Sequence, residues 1–337
     1  MAALVTVALA ILVPVNAMAG SPQAPPWKAV SPDLIARGDA RQALALDWFA
    51  AATGRGSVAK YQRDLSAFEA KWGDDPRFGS DARSGSSTAT LTGIPITHTL
   101  ALNQYAEQSP SQFCVSGVLT CYCGPSAAES ILEYVKPTSY NFPTYGSFVL
   151  INNGDWTWGQ YGLAGKFGPG SPNSNWFLET NLAGGETAWF RTSTDWPMSM
   201  SFNYWYSGSV NGLPYYTENP APYTGQVSFV LSQIQVIIYN NGAPGWPLAA
   251  DVEEIPGTNH PHLVGHPAGL EVQHWVALYG YGGSGSYTDY IDPIHGSALD
   301  GTNGFNVSAM NTYYSSSSMF TLVTDAGAHG GPYGIVW

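Results

Sequence analysis

Apolar residues recur at helical spacing twice early in the chain: Leu44, Trp48 and Ala51 within residues 40–52, then Tyr61, Leu65, Phe68 and Trp72 within residues 58–72. Intervals of three and four put each set on one face, so two amphipathic helices with buried stripes are expected. Ser31-Pro32-Asp33 has the form of a helix start. A third stripe, Ala127, Ala128, Ile131, Leu132 and Val135, predicts a helix over residues 125–135, which Pro137 stops. Residues 227–240 read as a helix burying Val230, Ile234, Ile237 and Ile238, with strand as the alternative because the residues are β-branched. Residues 248–253 then read as a strand. Two aromatic and β-branched runs, 274–281 and 287–292, flank Gly282-Gly283-Ser284-Gly285-Ser286, a strong hairpin signal. Between residues 138 and 224 periodicity fades, and Trp156, Trp158, Trp176, Trp189, Trp196 and Trp205 fall among glycines, tyrosines and serines. That stretch is read as an insertion of irregular loops and short strands. No internal repeat of useful period is present.

Few charges and abundant glycine, tyrosine and tryptophan suggest a loop-rich, β-containing fold rather than a helical bundle. Residues 1–19 form an apolar stretch ending in Ala17-Met18-Ala19, which reads as a secretory signal; the n-region lacks Lys and Arg, so a membrane anchor is the alternative, which Pro14 and the short run disfavour. A Gly/Ser/Thr/Asp-rich passage, residues 74–88, reads as an exposed linker with a boundary near residue 87. Residues 20–86 are then a helical pro-segment or cap, or simply an N-terminal helical subdomain. Residues 87–337 form the main domain, with the insertion at about 138–225. The 44% hydrophobic content of the 337 residues is enough for a sizeable core.

Charge divides at the same boundary. Nine basic residues stand against eight acidic ones before residue 90, and three against 16 after it, leaving the main domain at −13. Such a body repels phosphate backbones, so a nucleic-acid partner is excluded and anionic substrates are disfavoured. No later stretch is long and apolar enough to span a membrane, so a soluble exported protein is expected after signal cleavage.

Candidate chemistry starts at Cys121-Tyr122-Cys123-Gly124-Pro125. Cys123 sits against the start of the predicted helix, where the dipole favours thiolate over thiol. Three cysteines in an exported chain leave at least one unpaired; Cys114 and Cys121 can close a short loop, which leaves Cys123, although Cys121 is an alternative free thiol. His274 opens the first hairpin strand and Asp292 closes the second, and antiparallel pairing folds those two ends together. Asp289 is the rival carboxylate. Cysteine, histidine and aspartate are the side chains of a cysteine hydrolase: nucleophile, base and acid, and orienting group. An oxyanion needs donors, and the Cys123 backbone N–H with the side-chain amide of Gln112, or secondarily Gln104, could supply them. His260, His262 and His266 invite a metal reading, but the surrounding Pro and Gly indicate an irregular loop with no HExxH or paired CxxC, so no metal and no cofactor is expected. Asn306-Val307-Ser308 fits a glycosylation acceptor in a eukaryotic secretory pathway.

Tyr122-Cys123-Gly124-Pro125-Ser126-Ala127-Ala128, with His274-Trp275-Val276-Ala277-Leu278-Tyr279-Gly280-Tyr281 and Tyr290-Ile291-Asp292-Pro293, resembles the papain-like cysteine peptidases of the double-glycine leader type, which process bacteriocin precursors and have exported stand-alone relatives. The resemblance covers roughly residues 100–325. It implies a papain-like α+β fold, a nucleophile helix packed on an antiparallel sheet, with Cys123 as nucleophile, His274 as base and acid, Asp292 as orienter and Gln112 as oxyanion donor. Gln112 stands 11 residues before Cys123, farther than is usual in papain-like enzymes, and the aromatic insertion is unusually long. No exporter parts follow, so a leader peptide is not the expected substrate. The expected activity is that of a secreted cysteine peptidase acting on a peptide or protein. An acyl transferase or amidase on the same triad is one alternative, and a carbohydrate- or surface-binding protein with a vestigial triad is another.

Overall fold

The computed structural model describes residues 32–52, 56–75, 98–107, 123–135, 245–309 and 311–328, together with Gly54, Gln160, Met198, Phe202, residues 217–218 and residues 335–336. The tryptophan-rich stretch and the 227–240 segment lie outside the described residues, apart from those isolated positions. Helix α1, Pro32–Ala52, begins where Ser31-Pro32-Asp33 predicted and runs unbroken into the 40–52 stripe. Proline fits a first helical position because its missing N–H would have no partner there. Helix α2, Val58–Trp72, starts at Ser57, whose hydroxyl accepts the Lys60 N–H at 3.2 Å, and ends at Gly73 with φ 78°. The two helices pack together. Leu44, Trp48, Ala51, Tyr61, Leu65 and Phe68 are buried, and they belong to the same apolar cluster as the sheet.

Of the linker expected over residues 74–88 the structure describes Asp74, which is exposed, and Asp75, which is buried. Arg37 donates to Trp72 O at 2.8 Å, and Arg41 faces Asp75 at 4.0 Å with neither side chain exposed. That buried pair ties the start of the passage to α1. Residues 76–88 lie outside the described residues.

Helix α3, Cys123–Val135, starts two residues before the predicted Pro125. Its first ten residues are all buried, so the helix is enclosed on every side rather than half-exposed. It packs on strands β3, Leu248–Glu254, and β4, Val272–Gly282. The other strands are β1, His98–Thr99; β2, Thr217–Glu218; β5, Tyr287–Ile291; β6, Asn311–Ser315; and β7, Ile335–Val336. Every pairing is antiparallel, in the order β2-β7-β3-β4-β5-β6. β3 occupies one edge of β4 from Val272 to Leu278, and β1 takes over that edge at Gly280 and Tyr281. Helix α4, Ser316–Ala328, packs chiefly on β3. All seven residues of β3 are buried, as is β4 from His274 onward, so both faces of the central strands are covered. The fold is α+β with an antiparallel sheet.

The predicted hairpin is β4–β5. Its turn, a 3₁₀ element at Gly283–Gly285, puts Gly283 at φ 56° and Gly285 at φ 88°, which side chains with a Cβ rarely adopt.

Candidate active site

Sheet parity gathers the first residues of the site. Val252 stands opposite His274, and Glu254, two residues on, shares its face. Ala277 stands opposite Ile291, so Asp292 comes opposite Val276, also on the His274 face. Glu254, His274 and Asp292 therefore emerge from three adjacent strands at one end and on one side of the sheet.

The hairpin closes the expected pair: His274 Nε2 lies 3.0 Å from Asp292 Oδ1, both side chains essentially inaccessible to solvent. The same oxygen accepts the Ile294 N–H at 2.9 Å. Asp292 Oδ2 engages a second imidazole, His266 Nε2, at 2.9 Å. His266 Nδ1 in turn lies 2.5 Å from Glu254 Oε1 as an ion pair. His262 Nδ1 takes the other Glu254 oxygen at 3.0 Å, and its Nε2 donates to Gly257 O at 2.9 Å. A continuous line runs Glu254, His266, Asp292, His274.

The loop between β3 and β4 delivers the second histidine. Gly257 N–H donates to Ala268 O at 2.7 Å, and Asn306 N–H donates to Gly265 O at 2.8 Å. Gly265 sits at φ 89°, and a Cβ there would fall 2.4 Å from Asn306 O, so glycine is required. Tyr290 OH accepts the Val264 N–H at 3.0 Å, and Tyr314 OH donates to His262 O at 2.6 Å. The ring of Phe305 meets His266 edge-on at 5.0 Å.

Burial opposes charge on His266, yet the charge of Asp292 and hydrogen bonds to Asp292 and Glu254 outweigh it and push the imidazole up to about 9. Burial likewise opposes ionisation of Asp292, but His266 and then His274 hold its carboxyl well below the usual carboxylate range. Both shifts favour a protonated His266 beside an ionised Asp292 at neutral pH.

The first turn of the Cys123 helix is linked to this end of the sheet by a strap, residues 100–107. Leu100 N–H donates to Tyr279 O at 2.9 Å; beyond it β3 fills the β4 edge and the strap must leave the sheet. Ser126, in the first turn after Cys123, donates its hydroxyl to Tyr105 O at 2.7 Å. Two residues later the Glu107 N–H donates to Pro293 O at 2.7 Å, next to Asp292. The Gln160 amide holds the strap between these points, reaching Ala106 O at 2.8 Å and Glu129 Oε2 at 3.2 Å. Both its N–H bonds are thereby engaged. Burial pushes the Glu129 carboxyl well above its ordinary range, against the Gln160 hydrogen bond and with the charge of Glu133 adding to the rise. Cys123 itself is buried and not part of a disulfide.

The structure thus brings His274 and Asp292 together, and the strap links the first turn of the Cys123 helix to Pro293, the residue after Asp292. Gln112, Cys114 and Cys121 lie outside the described residues; Gln104 sits half-buried on the strap. The rival carboxylate, Asp289, points elsewhere: it accepts Thr99 Oγ1 at 3.0 Å. Burial raises its pKa while Thr99 opposes the rise. Of His260, His262 and His266, the last two share the Glu254 carboxylate, whereas half-exposed His260 lines a cleft with Ser317 and Thr321. A different set could hold a cation. Donor atoms of His266, His274 and Asp292 lie within 4.8 Å of one another, a two-histidine, one-carboxylate composition. An ion there would have to displace both imidazole–carboxylate hydrogen bonds. Sequence reasoning missed Glu254 and weighed His266 only as a metal ligand beside His260 and His262. No protein-family profile, curated protein or solved structure matches the chain.

Proposed function

We propose that the chain is an exported papain-like cysteine peptidase that hydrolyses peptide or isopeptide bonds. The observation that carries this reading is the buried His274 Nε2 to Asp292 Oδ1 hydrogen bond, at the sheet end to which the Cys123 turn is strapped. With Nε2 committed to Asp292, Nδ1 is the ring nitrogen left to serve a thiol, and Cys123 heads a helix whose dipole favours the thiolate. In the reaction the Cys123 thiol passes its proton to His274, and sulfur bonds to the substrate carbonyl carbon. His274 then protonates the departing amine as the C–N bond breaks. Water, deprotonated by His274, cleaves the resulting thioester and regenerates the thiol. The Cys123 N–H, with Gln112, would stabilise the oxyanion. The substrate is a peptide or protein, and the −13 charge of the main domain disfavours nucleic acid. Among the described residues no helix is long and apolar enough to cross a membrane.

Iodoacetamide labelling with peptide mapping, beside hydrolysis of a mixed peptide pool, tests the assignment. Cys123 should alkylate faster than Cys114 and Cys121, and Cys123→Ala should reduce hydrolysis by about a thousandfold or more. Hydrolysis retained by Cys123→Ala, or a Cys123 no more reactive in the native protein than in urea, overturns it.

A further inference from the structure

We infer that His266 is a positioning residue: held by Glu254, it fixes the Asp292 carboxylate in the orientation that presents Oδ1 to His274. This rests on the peptidase reading, because it concerns how that site keeps its base aligned. A cysteine hydrolase requires only that a carboxylate accept the base's ring N–H. Here the carboxylate is bound on both oxygens, by His274 and the Ile294 N–H on Oδ1 and by His266 on Oδ2. Neither His266 nor Asp292 exposes its side chain, so no water competes for Oδ2. His266 is fixed in turn by Glu254 on its other nitrogen and by the edge of Phe305. Rotation of the Asp292 carboxylate would break both imidazole bonds at once.

The electrostatic consequence follows from the groups around His266. Glu254 on β3 and Asp292 after β5 are the two acidic side chains that face it. His274 on β4, with ring centroids 5.7 Å away, is the neighbouring base, and His262 shares Glu254 from the same loop. With Oδ2 held by His266, Oδ1 of Asp292 stays aimed at the His274 ring, where it stabilises the imidazolium that His274 becomes when it takes the thiol proton. Removing the His266 donor leaves Oδ2 unheld and lets the carboxylate turn from the His274 ring, which should weaken the thiolate–imidazolium pair and raise the pH at which Cys123 ionises.

The test is the pH dependence of iodoacetamide alkylation of Cys123 in the full chain, wild type against His266→Gln, with circular dichroism confirming the fold. Glutamine has one polar end where the ring has two, so it cannot bridge Glu254 and Asp292 from opposite sides. Expected is a midpoint about one pH unit higher, seen as about tenfold slower alkylation at pH 6.5 that converges with wild type near pH 10. Glu254→Gln, which leaves His266 in place, should move the midpoint the same way by less, and it serves where His266→Gln does not fold. Superimposable profiles for wild type and the folded variant overturn the inference while a reactive wild-type Cys123 leaves the peptidase reading standing. An unreactive wild-type Cys123 sinks that reading instead. Stoichiometric zinc in purified wild type that His266→Gln lacks also overturns the inference, since the metal would then hold the same donor atoms.

Discussion

Two aspartates of one hairpin meet opposite fates, and the cause is side-chain parity. Asp289 and Asp292 differ by three positions, so along an extended strand they leave on opposite faces. Asp292 meets two imidazoles and stays ionised; Asp289 meets Thr99 and Gly280 and is pushed toward the neutral acid. The β4–β5 register shifts between Leu278 and Gly280, and a Cβ on Gly280 would lie 2.4 Å from Asp289 Oδ2, 2.9 Å from Asp289 Cβ and 3.0 Å from Thr99 Oγ1. Glycine at position 280 is therefore demanded by close approach. Gly280→Ala should destabilise the fold by about 1–3 kcal/mol through overpacking, seen as a lower midpoint in urea unfolding at unchanged slope. An unchanged midpoint would mean that Asp289 swings aside at no cost.

At the scale of elements, the hairpin was legible because its glycine-rich turn and flanking β-branched runs specify antiparallel pairing, and pairing alone places His274 beside Asp292. The α3 stripe was equally plain: Ala127, Ala128, Ile131 and Leu132 are fully buried as the spacing predicts. Glu254 was not legible. Its place on the His274 face depends on the β3–β4 register, and the 17 residues joining those strands do not fix a register as a tight turn would. His266 lies within that connection, where backbone bonds such as Gly257 to Ala268 set its position and no side-chain period records it. The strap was invisible for a similar reason, being held by main-chain carbonyls that any residue type presents. Its bond to Ser126 can still be tested. Ser126→Ala removes a buried hydroxyl donor and leaves Tyr105 O to find another, which should cost about 0.5–1.5 kcal/mol in thermal unfolding. Under the peptidase reading it should also slow Cys123 alkylation, because the helix start loses its tie to the Asp292–Pro293 corner. A variant that melts lower but alkylates normally would show the strap to be structural alone.

For the whole molecule, the buried ionisable groups fix how stability changes with pH. His266 is raised from 6.5 to about 9 in the folded state, so its contribution is complete below about 6.5 and is lost as pH rises through about 9. Glu129 acts in the same direction: a carboxyl held above its ordinary 4.5 keeps its proton longer in the folded chain, so folding weakens as pH climbs past that value. Asp292 acts oppositely, its depressed pKa supporting the fold above about 3.8 and withdrawing that support as pH falls below it. These signs place the stability maximum in mildly acidic solution, between the ordinary carboxylate and imidazole values. Urea unfolding should show the free energy falling by about 2–3 kcal/mol between pH 6.5 and 9.5 from His266, the scale of its shift at 1.36 kcal/mol per unit reduced for the coupling to its carboxylates. In His266→Gln that limb should flatten, because the glutamine carries no titrating proton, while the fall at acid pH persists. A wild-type curve level across the same interval would show that His266 is already neutral at pH 6.5, and the buried centre would then be held by hydrogen bonds without a cation.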